Sequence, residues 1–412
     1  MFRLLYVFVL MSLFQVAAAT SPLWRLEVRR NEPVSDTLGS SVANDEARVF
    51  YVQAGQVRAV SATTGKPLWT FQVGNGAQLR YRSGRVLAVT ARGKIYALEP
   101  RTGRVRWTRG GEAKTEYQIF AVADRTLYIA ESEKLRALDL ETGKTKWATD
   151  VSSFAPFFEP FTVIKNRVFI FTVNGDAMNA STSMFSAQTG RFLGEADSYG
   201  PLAAVGGRVF FQDNWFPVDY PDDVFVNVHD LRTGKRLERR TYRVMNRVTG
   251  NYSSSMMAIA SGALYVSGGG NLACFPLGKW GRTAKPDLVR VPDGEVTWLE
   301  GPYRGVFVLG WRNAVWLVRA RLDNPCSPVD LLRRGNRLGP GRVARVTALG
   351  ENLYVGLRSG AFYAVDARSG QVGVRLELST SDFGPILVAG ETLIVQAGNE
   401  MLAFRLPESL SR

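Results

Sequence analysis

The chain has 412 residues, 46% hydrophobic and 21% charged, a balance that excludes disorder as the default state. The 51 Lys and Arg outnumber the 37 Asp and Glu and leave a formal net charge of +14. That excess favours acidic partners through a long-range attraction that salt weakens, while two cysteines and one histidine argue against a zinc site.

The N-terminus reads Met1-Phe2-Arg3, then an almost wholly apolar run from Leu4 to Val16, then Ala17-Ala18-Ala19-Thr20. A charged start, an apolar stretch and an Ala-x-Ala site predict a signal peptide over residues 1–19, cleaved after Ala19. No cysteine follows the apolar run, so a lipoprotein anchor is not indicated, and no later apolar run is long enough to span a bilayer. The expected location is therefore periplasmic or secreted, which argues against nucleic acid as a partner. Residues 20–412 are expected to form one domain.

Thr64-Gly65-Lys66-Pro67-Leu68-Trp69 returns as Thr102-Gly103-Arg104-Val105-Arg106-Trp107 and as Thr142-Gly143-Lys144-Thr145-Lys146-Trp147. Each copy follows two apolar runs, such as Arg48-Val49-Phe50-Tyr51-Val52 and Val57-Arg58-Ala59-Val60, and opens an alternating one. A period of about forty residues signals a repeat array. Glycine in the turn tolerates the positive φ of a tight connection between antiparallel strands. The second apolar strand recurs near Arg48, Arg85, Thr126, Arg167, Arg208, Leu264, Val306, Leu353 and Leu393. Ser21-Pro22-Leu23-Trp24 matches the last strand of a unit without its predecessors, and the C-terminus supplies three strands without a fourth. The two ends can complete one sheet, which predicts a closed all-β propeller of eight or nine four-stranded blades. Trp24, Trp69, Trp107 and Trp147 are expected to dock one blade on the next, with the indole N–H reaching a backbone carbonyl. Gly194, Glu238 and Val374 stand in that position in three later units.

Two stretches break the rhythm. Trp215-Phe216-Pro217-Val218-Asp219-Tyr220-Pro221-Asp222-Asp223 is an aromatic, acidic insertion in the fifth unit. Gly278-Lys279-Trp280-Gly281-Arg282-Thr283-Ala284-Lys285-Pro286 replaces the turn of the sixth. Long insertions in repeat arrays commonly form the binding surface. Trp215, Phe216, Tyr220, Trp280, Arg282 and Lys285 are the candidate partner contacts, since aromatic and arginine side chains anchor interfaces.

Gly93-Lys94-Ile95-Tyr96-Ala97-Leu98-Glu99-Pro100-Arg101-Thr102-Gly103 with Trp107 resembles the repeat of the pyrroloquinoline-quinone-type (PQQ-like) propeller family. Leu135 to Gly143 with Trp147, and Ala361 to Gly370, are similar copies. The resemblance implies a propeller that is either a quinoprotein dehydrogenase or a non-enzymatic scaffold of the BamB-like branch, which helps insert outer-membrane β-barrels. The dehydrogenases of this family carry a disulfide of adjacent cysteines under the cofactor, whereas Cys274 and Cys326 are far apart. Whether these two pair is not fixed by the sequence. A calcium ion beside the quinone would need about 6–8 oxygen ligands, and the densest oxygen cluster is Asp213, Asn214, Asp219, Asp222 and Asp223, in an insertion. His229 sits within a strand, and Gly268-Gly269-Gly270 reads as a hairpin because no Gly-Lys-Ser/Thr follows it. No catalytic, cofactor-binding or metal residue is assigned. The expected function is a scaffold for a protein or peptide partner. A diverged quinone-dependent dehydrogenase and a binder of acidic envelope polysaccharide are the alternatives.

Overall fold

The structure is a computed structural model. It describes residues 17–18, 21–28, 41–90, 92–110, 119–130, 134–151, 157–173, 180–213, 223–243, 257–268, 271–281, 287–289, 296–303, 305–311, 314–321, 323–324, 326–327, 329–330, 338–339 and 342–410. Among the described residues nine sheets follow one another along the chain, their strands paired antiparallel with sequence neighbours except at the N-terminus, where Ala17–Ala18 and Trp24–Glu27 join C-terminal sheets.

Blade 1 is built from Val42–Asn44, Arg48–Gln53, Gln56–Ser61 and Pro67–Gln72. Blade 2 has Gln78–Arg82, Arg85–Val89, Ile95–Leu98 and Val105–Arg109, and blade 3 Ile119–Ala123, Thr126–Ala130, Lys134–Asp139 and Thr145–Asp150. Blade 4 comprises Phe157–Ile164, Arg167–Val173, Ala180–Ser186 and Phe192–Ala196. Blade 5 comprises Ser198–Val205, Arg208–Asp213, Asp223–Asp230 and Arg236–Arg243. Blade 6 has Met257–Ala260, Ala263–Gly268, Asn271–Pro276 and Asp287–Val289, and blade 7 Val296–Tyr303, Val306–Trp311, Ala314–Arg319 and Val329–Asp330. Blade 8 has Val343–Leu349, Asn352–Leu357, Ala361–Asp366 and Val372–Glu377. Blade 9 takes Phe383–Ala389, Thr392–Ala397 and Glu400–Arg405 from the C-terminus and Trp24–Glu27 from the N-terminus. In that last sheet Trp24 lies opposite Ala403 and Glu27 opposite Glu400.

The second and third strands are apolar on both faces because each sheet is covered on both sides by its neighbours. Val49, Phe50, Val57 and Ala59 in blade 1, and Val306, Phe307, Val308 and Leu309 in blade 7, are fully buried. The fourth strands instead alternate between half-buried and exposed residues, as in Pro67–Gln72. First strands of successive blades meet at most joints, including that of blades 9 and 1. One apolar cluster joins Val42, Val49 and Val60 of blade 1 to Ile394, Met401 and Ala403 of blade 9.

Seven joints between blades use one recurring acceptor, the carbonyl just after the third strand. Trp24 Nε1 donates to Ala62 O at 2.8 Å and Trp69 Nε1 to Pro100 O at 2.8 Å. Trp107 Nε1 donates to Leu140 O at 3.1 Å and Trp147 Nε1 to Ala187 O at 2.9 Å. Four joints are thus spanned by an indole of the preceding blade. The same ring lies on the glycine of the next Thr-Gly turn. A Cβ on Gly103, at φ +70°, would come within 2.6 Å of Trp69, so glycine is required there for space as well as for its backbone angle. Gly65, Gly143 and Gly190 receive the rings of Trp24, Trp107 and Trp147 in the same way.

At three joints without the tryptophan, an arginine takes the carbonyl. Arg167 Nε donates to Leu231 O at 2.7 Å, Arg240 Nη1 to Leu277 O at 2.5 Å, and Arg319 Nη2 to Ala367 O. The blade 4–5 joint also closes backbone on backbone: a Cβ on Gly194, in the tryptophan position, would stand 2.7 Å from Gly234 O. Blades 6 and 7 share a disulfide between Cys274, on a third strand, and Cys326, at a sequence separation of 52. Both sulfurs are buried in the apolar cluster of that joint. Closing a loop of that length in the unfolded chain contributes about 4 kcal/mol in the chain-entropy model.

The tryptophan joint predicts a specific non-additivity. Trp107→Ala should cost about 3 kcal/mol in denaturant unfolding. Gly143→Ala should cost less in that background than in the parent, because the ring it would strike is gone and only the backbone strain remains. Equal costs in both backgrounds would contradict the joint.

Candidate functional site

The described ends of the two insertions, Asp223 of the first and Gly281 of the second, both pair with the fourth strand of blade 5. Asp213 and Asp223, the strand ends that flank the first insertion, are buried. Arg239 Nε donates to Asp213 Oδ2 at 2.7 Å and Arg243 Nε to Asp223 Oδ1 at 3.1 Å. Arginines at alternate positions of one strand therefore hold both carboxylates from the same face. Trp215, Phe216 and Tyr220, with Asn214, Asp219 and Asp222, lie outside the described residues.

The second insertion leaves blade 6 at Leu277 and meets that same strand at Gly281. Gly281 N donates to Thr241 O at 2.9 Å, and Gly281 pairs with Tyr242 in parallel. Tyr242 lies opposite Val224, the neighbour of Asp223. The start of the second insertion is thus two strand spacings, roughly 10 Å, from the end of the first.

Trp280 is 44% exposed, with the Arg240 guanidinium 5.7 Å from its ring centroid. That guanidinium is buried and held by Glu238 Oε1 at 2.9 Å from Nε and 2.5 Å from Nη2, besides its bond to Leu277 O. Arg240 also lies 5.4 Å from the Phe210 ring centroid. The exposed indole is therefore mounted on a fixed cation and tied through Gly281 to the sheet. Arg282 and Lys285 lie outside the described residues. The sequence gives no sign of this arrangement, because it depends on the Arg240 guanidinium reaching across to the next blade.

The other residues weighed from the sequence have structural partners. Asp213 and Asp223 already neutralise arginines, so the described part of the oxygen cluster does not suit calcium. Among the described residues no group of three or more potential metal ligands is assembled. His229 is buried edge-on against Phe211 with ring centroids 5.2 Å apart, and its Nδ1 is 2.9 Å from Gly234 O, which only an Nδ1–H can satisfy. Burial pushes the pKa of its imidazole below the usual value, against the opposing effect of Gly234 O. Gly268 pairs with Asn271 across a hairpin.

Two of the Thr-Gly turns are closed by an aspartate, while Ser61 and Ser186 hydroxyls accept from Thr64 N and Thr189 N in two others. Asp139 Oδ1 accepts from Thr142 N and Oγ1, each at 2.9 Å, and Asp230 Oδ1 accepts from Thr233 N at 2.6 Å and Oγ1 at 2.8 Å. These threonine hydroxyls, helped by the amides, hold both carboxyls below their usual pKa. Asp366 and Ser369 repeat the arrangement in blade 8.

The family model described as outer membrane protein assembly factor BamB matches residues 13–215 and 91–298. The chain belongs to this PQQ-repeat family. A stretch of 120 residues is 29% identical to the serine/threonine-protein kinase AfsK of Streptomyces coelicolor. It covers 28% of this chain and 15% of that protein, so the chain spans a small part of the curated relative it matches. Among solved structures, the computationally designed Ika8 protein aligns at TM-score 0.50 and 15% identity, over 80% of this chain and 95% of that one. Quinohemoprotein alcohol dehydrogenase from Comamonas testosteroni aligns at TM-score 0.50 and 12% identity, over 94% and 77%. BamB from Moraxella catarrhalis aligns at 0.48 and 15%, over 80% and 96%. At these identities the structural likeness shows the fold alone. No helix among the described residues is long and apolar enough to cross a membrane.

Stability should fall on acidification in two steps. The unfolded chain protonates His229 near pH 6.5 while the folded imidazole resists, so stability present above that pH is lost as pH drops below it. The depressed Asp139 and Asp230 pKa values add stability above about pH 4 that is lost below it. Denaturation midpoints at pH 7 and pH 5 should differ in the parent and converge in His229→Gln. An unchanged pH dependence in that variant would contradict the histidine assignment.

Proposed function

We propose that this chain is an extracytoplasmic, non-enzymatic scaffold. It docks a protein or peptide partner on the outer strand of blade 5, in the assembly of envelope or outer-membrane proteins. The observation that carries this reading is the exposed Trp280, fixed over the buried Arg240 where the described ends of both insertions pair with one strand. A rigid aromatic beside arginines is the composition of an interface anchor, and a net charge of +14 adds electrostatic steering toward an acidic partner. Family membership supports the assembly role, since the family's description is that of an outer-membrane assembly factor. We assign the chain to export with cleavage after Ala19; the Cys274–Cys326 disulfide supports an oxidising compartment.

The dehydrogenase reading has less support. The described carboxylates of the acidic insertion are engaged by arginines, and the imidazole is buried with Nδ1 committed to a carbonyl. The polysaccharide reading draws on the same positive charge and on the aromatic loops, and glycan retention that vanishes with salt would favour it.

Recovery of partners on the mature chain from envelope extract tests the reading. The expected result is a defined protein retained at both low and high salt, with Trp280→Ala weakening its binding by about tenfold or more. Trp280→Phe should keep most of the affinity, and a melting curve like the parent's would show that the blade 5–6 joint survives. Recovery of acidic polymer alone, lost at high salt, would overturn the proposal.

A further inference from the structure

We propose that the outer edge of blade 8 is an acceptor for an extended polypeptide strand, filled by the leader before cleavage and open afterwards. The proposal deepens the reading above and rests on it, since it takes the partner to be a protein or peptide. Blade 8 is the one sheet among the described residues with a fifth strand. Ala17–Ala18 pairs in parallel with its fourth strand, Ala17 opposite Val374 and Ala18 opposite Arg375. Cleavage after Ala19 would remove this pairing and leave a row of main-chain N–H and C=O groups unpaired at the edge, which is a template for an incoming strand.

Three further features suit this edge to that use. A cleft of about 300 Å³ lies between it and blade 9, lined by Pro22, Arg25, Leu376, Leu378, Glu400 and Phe404. An added strand could therefore place side chains in a cavity at the lower end of ligand-pocket size. Arg25 and Glu400 pair at 3.5 Å within that lining, and Glu377, also in the lining, pairs with Arg375 at 3.0 Å, so each carboxylate is engaged and neutral side chains are the better fit. The strand itself is fixed from its other end. Asn352 Nδ2 donates to Leu410 O at 2.8 Å, and Leu410 packs so tightly on Gly373 that a Cβ there would meet it at 2.6 Å. The acceptor is thus rigid while its edge is free, the condition under which main-chain pairing binds with little ordering cost. The occupant is a segment of a partner polypeptide, extended, parallel to Val372–Glu377 and carrying small neutral side chains like those of the leader's end.

Amide hydrogen exchange over residues 372–377 tests this in three samples: the full chain, the chain beginning at Thr20, and the latter with excess synthetic peptide of residues 15–20. The edge amides of the trimmed chain should exchange about tenfold faster than those of the full chain, and the peptide should restore protection. If the full chain aggregates, the two trimmed samples decide alone. Identical exchange with and without peptide would overturn the acceptor. Failure here with a partner still recovered through Trp280 would leave the blade 5 reading intact. Restored protection with no partner recovered would sink that reading and leave the acceptor standing.

Discussion

The carbonyl that follows the third strand of a blade has no ladder partner, yet it lies where two sheets meet. A polar group at such a place must be bonded or it opposes the packing around it. Four blades meet this need with an indole N–H and three with a guanidinium, in each case from the preceding blade. The donor is long and flat, so it fills the gap between sheets while its nitrogen reaches the acceptor. Much else in the repeat follows from that bond. The glycine beside the acceptor makes room for the ring, and a bond from the turn threonine to Ser61, Glu99, Asp139 or Ser186 fixes the loop that carries the glycine.

The two kinds of joint differ in how plainly they can be read. The tryptophans stand at one register of one strand, so they recur with the repeat and are visible as Trp69, Trp107 and Trp147. The arginines come from the start of a second strand, the middle of a fourth and the end of a third, namely Arg167, Arg240 and Arg319. No spacing unites them, because a long flexible side chain reaches one acceptor from several positions. The sequence shows nine candidate units, and the usual size of propellers, about 4–8 blades, holds the count at eight or nine. The fourth strands of blades 6 and 7, Asp287–Val289 and Val329–Asp330, have only three and two residues, too few to show alternation. The disulfide was likewise illegible, since Cys274 and Cys326 meet only after two blades have stacked. The meeting of the described ends of the two insertions at blade 5 depends on Gly281 pairing with Tyr242, which no local pattern announces.

The same physics links the fold to the proposed activity. Where an indole spans the joint, as with Trp69, it is partly hidden and is spent on packing. At the blade 5–6 joint an arginine spans it instead, and a tryptophan from the next connection lies exposed over that arginine. Substituting the donor has left an aromatic side chain outside the ring at a rigid place. A propeller can recruit partners in this way without altering its core, which agrees with a family whose common fold does not dictate one activity.

The most direct measurement is a photo-cross-linking side chain placed at Lys279, beside Trp280, and activated in the intact envelope. An equal probe at the exposed Arg101 turn of blade 2 serves as reference. Docking on blade 5 predicts one defined protein adduct from position 279 that survives high salt, and none from position 101. No protein adduct at 279, or the same adducts from both positions, would contradict it.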